Sequence, residues 1–126
     1  MKKILLVDDL GIDVMLTRMA LEGYQAAYQI TVAHDGEEAQ RLLQQDDFDL
    51  LLLDIKMPRV DGFELLERMH AGGGRLVPAI MLSGSGLAAD RARAQALGAI
   101  DYIQKAVDYS AFKIELKETL ERHSLA

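Results

Sequence analysis

Four consecutive leucines, Leu50-Leu51-Leu52-Leu53, run straight into Asp54-Ile55-Lys56-Met57-Pro58. Pro58 prevents the stretch from continuing as a helix, because its ring removes a backbone donor and restricts the residue before it. An apolar run with no polar alternation suits a strand buried on both faces, as in a parallel sheet covered by helices. A carboxylate at the end of that strand emerges at the carboxyl edge, where open α/β sheets place their ligands. A second run, Ile4-Leu5-Leu6-Val7, ends the same way in Asp8-Asp9. Three carboxylates at two strand ends have the makings of a divalent-metal site beside a carboxylate nucleophile.

The rest of the chain alternates in the same manner. Lys3 to Val7 reads as the first strand, and Ile12, Met15, Leu16 and Met19 mark one face of a helix at i, i+3, i+4, i+7. Tyr28 to Ala33, with β-branched Ile30, Thr31 and Val32, reads as a second strand. Asp35 with Glu38, and later Asp61 with Glu64, have the spacing of helix caps. Their helices carry Ala39, Leu42 and Leu43, then Leu65, Leu66 and Met69, with Gly72-Gly73-Gly74 as the connector that ends the second. Ala79 to Leu82 is a fourth strand followed by Ser83-Gly84-Ser85-Gly86. An alanine-rich helix from Leu87 to Leu97 stops at Gly98, and Ile100 to Ile103 is a short fifth strand. The last helix spans Tyr109 to Arg122, with Phe112, Leu116 and Leu120 on one stripe. Five strands in strict alternation with five helices imply a doubly wound parallel sheet with right-handed crossovers. The alternation fills residues 1–126 as one domain, without linker or repeat. The Met1 start and the closing helix favour a freestanding protein over an excised piece.

Composition narrows the function classes. A chain of 126 residues that is 50% hydrophobic can bury a real core. Its 14 basic and 20 acidic residues give a net charge of -6 without a basic block, which argues against direct nucleic-acid binding. No run approaches the roughly 20 apolar residues of a membrane span. The absence of cysteine excludes disulfides and thiolate chemistry and fits a cytoplasmic protein. His34, His70 and His123 are scattered without ligand spacing. The six methionines, Met57 and Met69 among them, read as core filling.

Reactive groups gather at the strand ends: Asp8 and Asp9, Asp54, Ser83, and Lys105 just past the fifth strand. Clustered carboxylates repel one another, so a cation among them would be needed to keep all of them ionised. Mg2+ suits oxygen ligands of this kind. Asp54 is a competent nucleophile towards phosphorus. Lys105 and the Ser83 hydroxyl could then neutralise charge on the transferred group.

In these residues the chain resembles the receiver domains of two-component response regulators, from Lys3 to about Leu120. The resemblance lies in Val7-Asp8-Asp9, Asp54-Ile55-Lys56-Met57-Pro58 with Asp61-Gly62, Ser83-Gly84, and Tyr102-Ile103-Gln104-Lys105. Each is weak alone, whereas all four in order at matching strand ends are highly specific. The resemblance implies a flavodoxin-like (βα)5 fold with sheet order 2-1-3-4-5. It also implies a histidine kinase or phosphotransfer protein that donates a phosphoryl group to Asp54. Asp9 and Asp54 would bind Mg2+ directly, Asp8 largely through water, and Lys56 through its backbone carbonyl. Ser83 would move towards the phosphoryl group and Tyr102 would turn inwards, altering the surface offered to a downstream protein. The family usually has proline after the lysine, where this chain has Ala106, and the Ser83–Gly86 loop is richer in glycine than usual.

Two other functions compete with this one. An aspartyl-nucleophile Mg2+ phosphatase would want a second aspartate two residues after the nucleophile, but Lys56 stands there. A receiver-shaped adaptor working without phosphorylation has Ala106 as its support. Neither the receiver nor the adaptor is an enzyme in the turnover sense. The small-residue helix bearing Ala92 and Ala96, with Tyr102 and the last helix, would also permit a homodimer.

Overall fold

A computed structural model describes residues 2–22, 28–57, 59–72, 77–84, 86–105 and 108–125. Along the chain come β1 (Lys2–Val7), α1 (Gly11–Glu22), β2 (Tyr28–Ala33), α2 (Gly36–Gln45) and β3 (Leu50–Leu53). They are followed by α3 (Gly62–Ala71), β4 (Ala79–Ser83), α4 (Ala88–Ala96), β5 (Asp101–Gln104) and α5 (Tyr109–Arg122). All pairings are parallel and the sheet order is β2-β1-β3-β4-β5. This is the doubly wound arrangement expected from the alternation, and most element bounds fall within a residue or two of the expected ones.

The leucine strand lies at the centre of the sheet. Leu50, Leu51, Leu52 and Leu53 are all at most 1% exposed. Because side chains alternate across a strand, Leu51 and Leu53 enter one core with Phe48, Phe63, Leu65 and Met81. Leu50 and Leu52 enter the other with Leu21, Ile80, Leu116 and Leu120. Both foreseen caps are present: Asp35 Oδ1 accepts from the Glu38 amide and Asp61 Oδ1 from the Glu64 amide, each at 2.8 Å. Each satisfies one of the orphan donors of a first helical turn.

Two expectations fail at α1. Three members of its apolar stripe face outwards, with Ile12 64%, Met15 52% and Met19 46% exposed, while Leu16 is half-buried. Thr17, Ala20 and Leu21 are the residues buried from this helix. The 3.6-residue spacing identified the helix correctly, but the same spacing exists on the opposite face with smaller residues, and packing selected that one. Met15 and Met19 are therefore not core filling, whereas Met81 is fully buried and Met57 and Met69 pack against the core. Gly72 ends α3 as expected, though with a right-handed φ of -71. Gly73, Gly74, Ser85, Pro58 and Ala106, on which other expectations rest, lie outside the described residues.

Gly62 brings the start of α3 against the end of β3. A Cβ at this position would meet the Asp54 carbonyl oxygen and come within 2.9 Å of the Ile55 Cα. The Gly62 amide donates to the Ile55 carbonyl at 2.8 Å. Only a residue without a side chain lets the helix sit this close behind the aspartate.

Candidate functional site

The parallel register brings the reactive strand ends together. The Asp54 amide donates to the Val7 carbonyl at 2.9 Å, which sets Asp54 beside the Asp8-Asp9 pair. The Lys105 amide donates to the Ser83 carbonyl at 2.6 Å, which sets Lys105 beside the end of β4. Asp9, Asp13, Asp54, Lys56, Ser83 and Lys105 line one open hollow of about 580 Å3, with Leu10, Leu87, Gly84 and Gly86 completing its wall. All the sequence-chosen groups except Asp8 and Tyr102 line it directly. Asp8 lies just beneath, 1% exposed.

Asp8, Asp9 and Asp54 each offer a carboxylate oxygen, and these oxygens lie within 4.8 Å of one another. Asp54 is 7% exposed, whereas Asp9 is open to solvent. Burial pushes Asp54 up from the ordinary 3.8 to about 6, the charge of Lys105 working against that rise and the charge of Asp8 adding to it. A hard cation with oxygen preference fits this donor set. Asp8 Oδ1 also accepts from the Leu10 amide at 3.0 Å, which orients its carboxylate.

Lys105 Nζ donates to Asp8 Oδ2 at 2.7 Å and to Asp13 Oδ2 at 2.9 Å, and stands 3.5 Å from Asp54 Oδ2. Burial pulls Lys105 down, but its bonds to Asp8 and Asp13 and the charge of Asp54 outweigh this and leave it raised. The ammonium therefore keeps its charge. Asp13 was not singled out from the sequence. The available signal was an acidic residue in the first turn of the helix that follows the aspartate pair. Ser83 is 2% exposed at the hollow's edge, and the exposed Lys56 borders it.

Tyr102 does not line the hollow. Its ring is already inward, 6% exposed, with the Arg91 guanidinium carbon 4.7 Å from the ring centroid and Arg91 Nη1 donating to the Tyr102 carbonyl at 3.4 Å. A sequence reading of the strand alone could not see that cation–π contact, because its cation comes from α4.

Residues 4–117 match the response regulator receiver domain family. The chain is 38% identical over 123 residues to the transcriptional regulatory protein CpxR of Escherichia coli strain K12, covering 97% of this chain and 50% of that protein. Among solved structures it is similar to the Mn2+-bound form of response regulator Rcp1 (TM-score 0.84, 25% identity, 95% of this chain and 92% of that one). It is also similar to the phosphorylated cyanobacterial phytochrome response regulator RcpA (TM-score 0.86, 30% identity, 95% and 91%). The chain belongs to the receiver domain family of two-component response regulators, and its sheet has the flavodoxin-like order of that family. It spans about half the length of the curated relatives it matches.

Proposed function

We propose that this receiver accepts a phosphoryl group on Asp54 from a phosphohistidine on a histidine kinase or phosphotransfer protein. A divalent cation, Mg2+ by preference, would be held by Asp8, Asp9 and Asp54 with the Lys56 backbone carbonyl. The observation that carries this reading is the convergence of Asp54, two further aspartates, Ser83 and Lys105 in one hollow at the carboxyl edge of the sheet. The similar structures of Mn2+-bound Rcp1 and of phosphorylated RcpA support it.

The residues divide the work by position. An Asp54 carboxylate oxygen attacks phosphorus, forming a P–O bond as the P–N bond breaks, and the imidazole nitrogen keeps the bonding electron pair. The cation, when bound, supplies charge neutralisation on the transferred oxygens. Lys105 is a charged donor within 3.5 Å of Asp54, close enough to pair with a phosphoryl oxygen after a small shift. The Ser83 hydroxyl is the hydrogen-bond donor from the neighbouring strand. Its movement would be passed to Tyr102 on β5 and so to the α4–β5–α5 face, where a downstream protein or a second copy would bind. The chain serves as phosphoacceptor, assisting its own modification without free turnover, and we place it in the cytoplasm with its donor. The names of the longer relatives point to transcriptional output when a receiver is joined to a further module. With a net charge of -6, this chain has no surplus of cations for DNA.

The direct test is intact mass after incubation with acetyl phosphate and Mg2+, beside Asp54→Asn. One added phosphoryl group that needs the metal and is absent in the variant is the expected result. An equal adduct on Asp54→Asn, or none on the wild type with either acetyl phosphate or a phosphorylated kinase, would reject the assignment.

A further inference from the structure

Lys105 is held by carboxylates on two sides, and one of them comes from no strand end. Asp8 and Asp54 approach its ammonium from the buried floor of the hollow. Asp13 reaches it from α1, with a side chain 25% exposed. The contacts are unequal: 2.7 Å to Asp8, 2.9 Å to Asp13, and 3.5 Å to Asp54. An ammonium has three protons and no fixed geometry, so its position follows the charges around it. The residue after Lys105 is Ala106, which does not restrict φ as a proline ring would. The backbone of Lys105 is tied to β4 through the bond from its amide to the Ser83 carbonyl, and the carboxylates around its ammonium place the end of its flexible side chain.

We propose that Asp13 is a positioning residue for Lys105, drawing the ammonium towards α1 and leaving the Asp8 and Asp54 carboxylates open to a divalent cation. This rests on the reading that those carboxylates hold one. Lys105 and the cation draw on the same carboxylates, and Lys105 already bonds Asp8 Oδ2. A cation at Asp8 weakens one of the two short contacts of Lys105, and Asp13 is then the anchor from which the ammonium faces Asp54. Without Asp13 the full positive charge falls back on Asp8 and Asp54, and one negative charge is lost from the surroundings of the metal. Both changes oppose cation binding, so the sign is fixed.

The test uses the whole chain without any phosphodonor, so it is separate from whether Asp54 takes a phosphoryl group. The 15N-ammonium signal of Lys105, identified by its loss in Lys105→Ala, reports the position of the lysine without metal. Asp13→Asn should shift that signal and speed its proton exchange several-fold, while Asp13→Glu, which can still reach, should restore much of both. Mg2+ affinity, followed through backbone amide shifts, should fall about threefold to tenfold in Asp13→Asn, as expected for one partly screened charge at short range. In a Lys105→Ala background the same substitution should cost clearly less, the difference measuring the coupling through the lysine. An unmoved Lys105 signal in a folded Asp13→Asn would overturn the proposal. So would equal losses of Mg2+ affinity in the two backgrounds, which would make Asp13 a general surface charge.

Discussion

Asp54 shows how one residue carries opposing demands. In the proposed role its carboxylate must be ionised to attack, yet burial raises it to about 6. Between the ordinary value of 3.8 and about 6, unfolded Asp54 has lost its proton while folded Asp54 retains it. The folded state then binds more protons, so this residue makes stability fall as pH rises through that window. Above it the cost is fully present. Asp54→Asn should remove that slope and, in EDTA at pH 7, stabilise the chain by roughly 1–3 kcal/mol. Urea unfolding at pH 4.5 and pH 7 measures both effects, and a variant less stable than wild type at pH 7 would contradict the account. The aspartates and their strand-end positions were legible in the sequence. The paired contacts of Lys105 were not, because Asp13 lies 92 residues away along the chain and only folding makes them neighbours.

At the scale of elements, local signals did well where chemistry is local. The caps at Asp35 and Asp61 act within three residues, so spacing alone identified them. The stop of α4 at Gly98 is equally local: its φ is +95, a left-handed value that penalises any side chain. A Cβ there would also run into the ring of His70 on α3, only 2.8 Å from its Cε1. Gly98→Ala should therefore destabilise the chain by about 1–2 kcal/mol, seen as a lower urea midpoint with an unchanged slope. No loss would mean that the turn relaxes freely. The facing of α1 shows the opposite case. Ile12, Met15 and Met19 make a convincing stripe, but the sheet accepted Thr17, Ala20 and Leu21. Periodicity gives an element its type, while its rotation depends on the shape of what it packs against.

At the scale of the whole molecule, the central leucine strand separates two cores and, like β1 and β4, sends side chains into both. Leu52, fully buried, belongs to the side bearing Leu21, Leu116 and Leu120. Leu52→Ala should cost about 2–5 kcal/mol, since the rigid sheet beneath it cannot collapse into the space. A loss below about 1 kcal/mol by denaturant melt would show a core looser than the full burial implies. The same strand carries Asp54 at its end, so stability and site geometry share one element.

The leucine run, the alternating periods and the polar residues that end each strand determined by themselves a parallel sheet with carboxylates at its carboxyl edge. Those signals are local and survive without knowledge of neighbours. Only the tertiary structure decided that α1 shows its larger apolar residues to solvent, that Tyr102 lies inward beneath Arg91, and that Lys105 is shared between Asp8 and Asp13. The physical reason is the same in each case. Such contacts join groups from different elements, and their energies depend on distances that exist only after the sheet and its helices have packed.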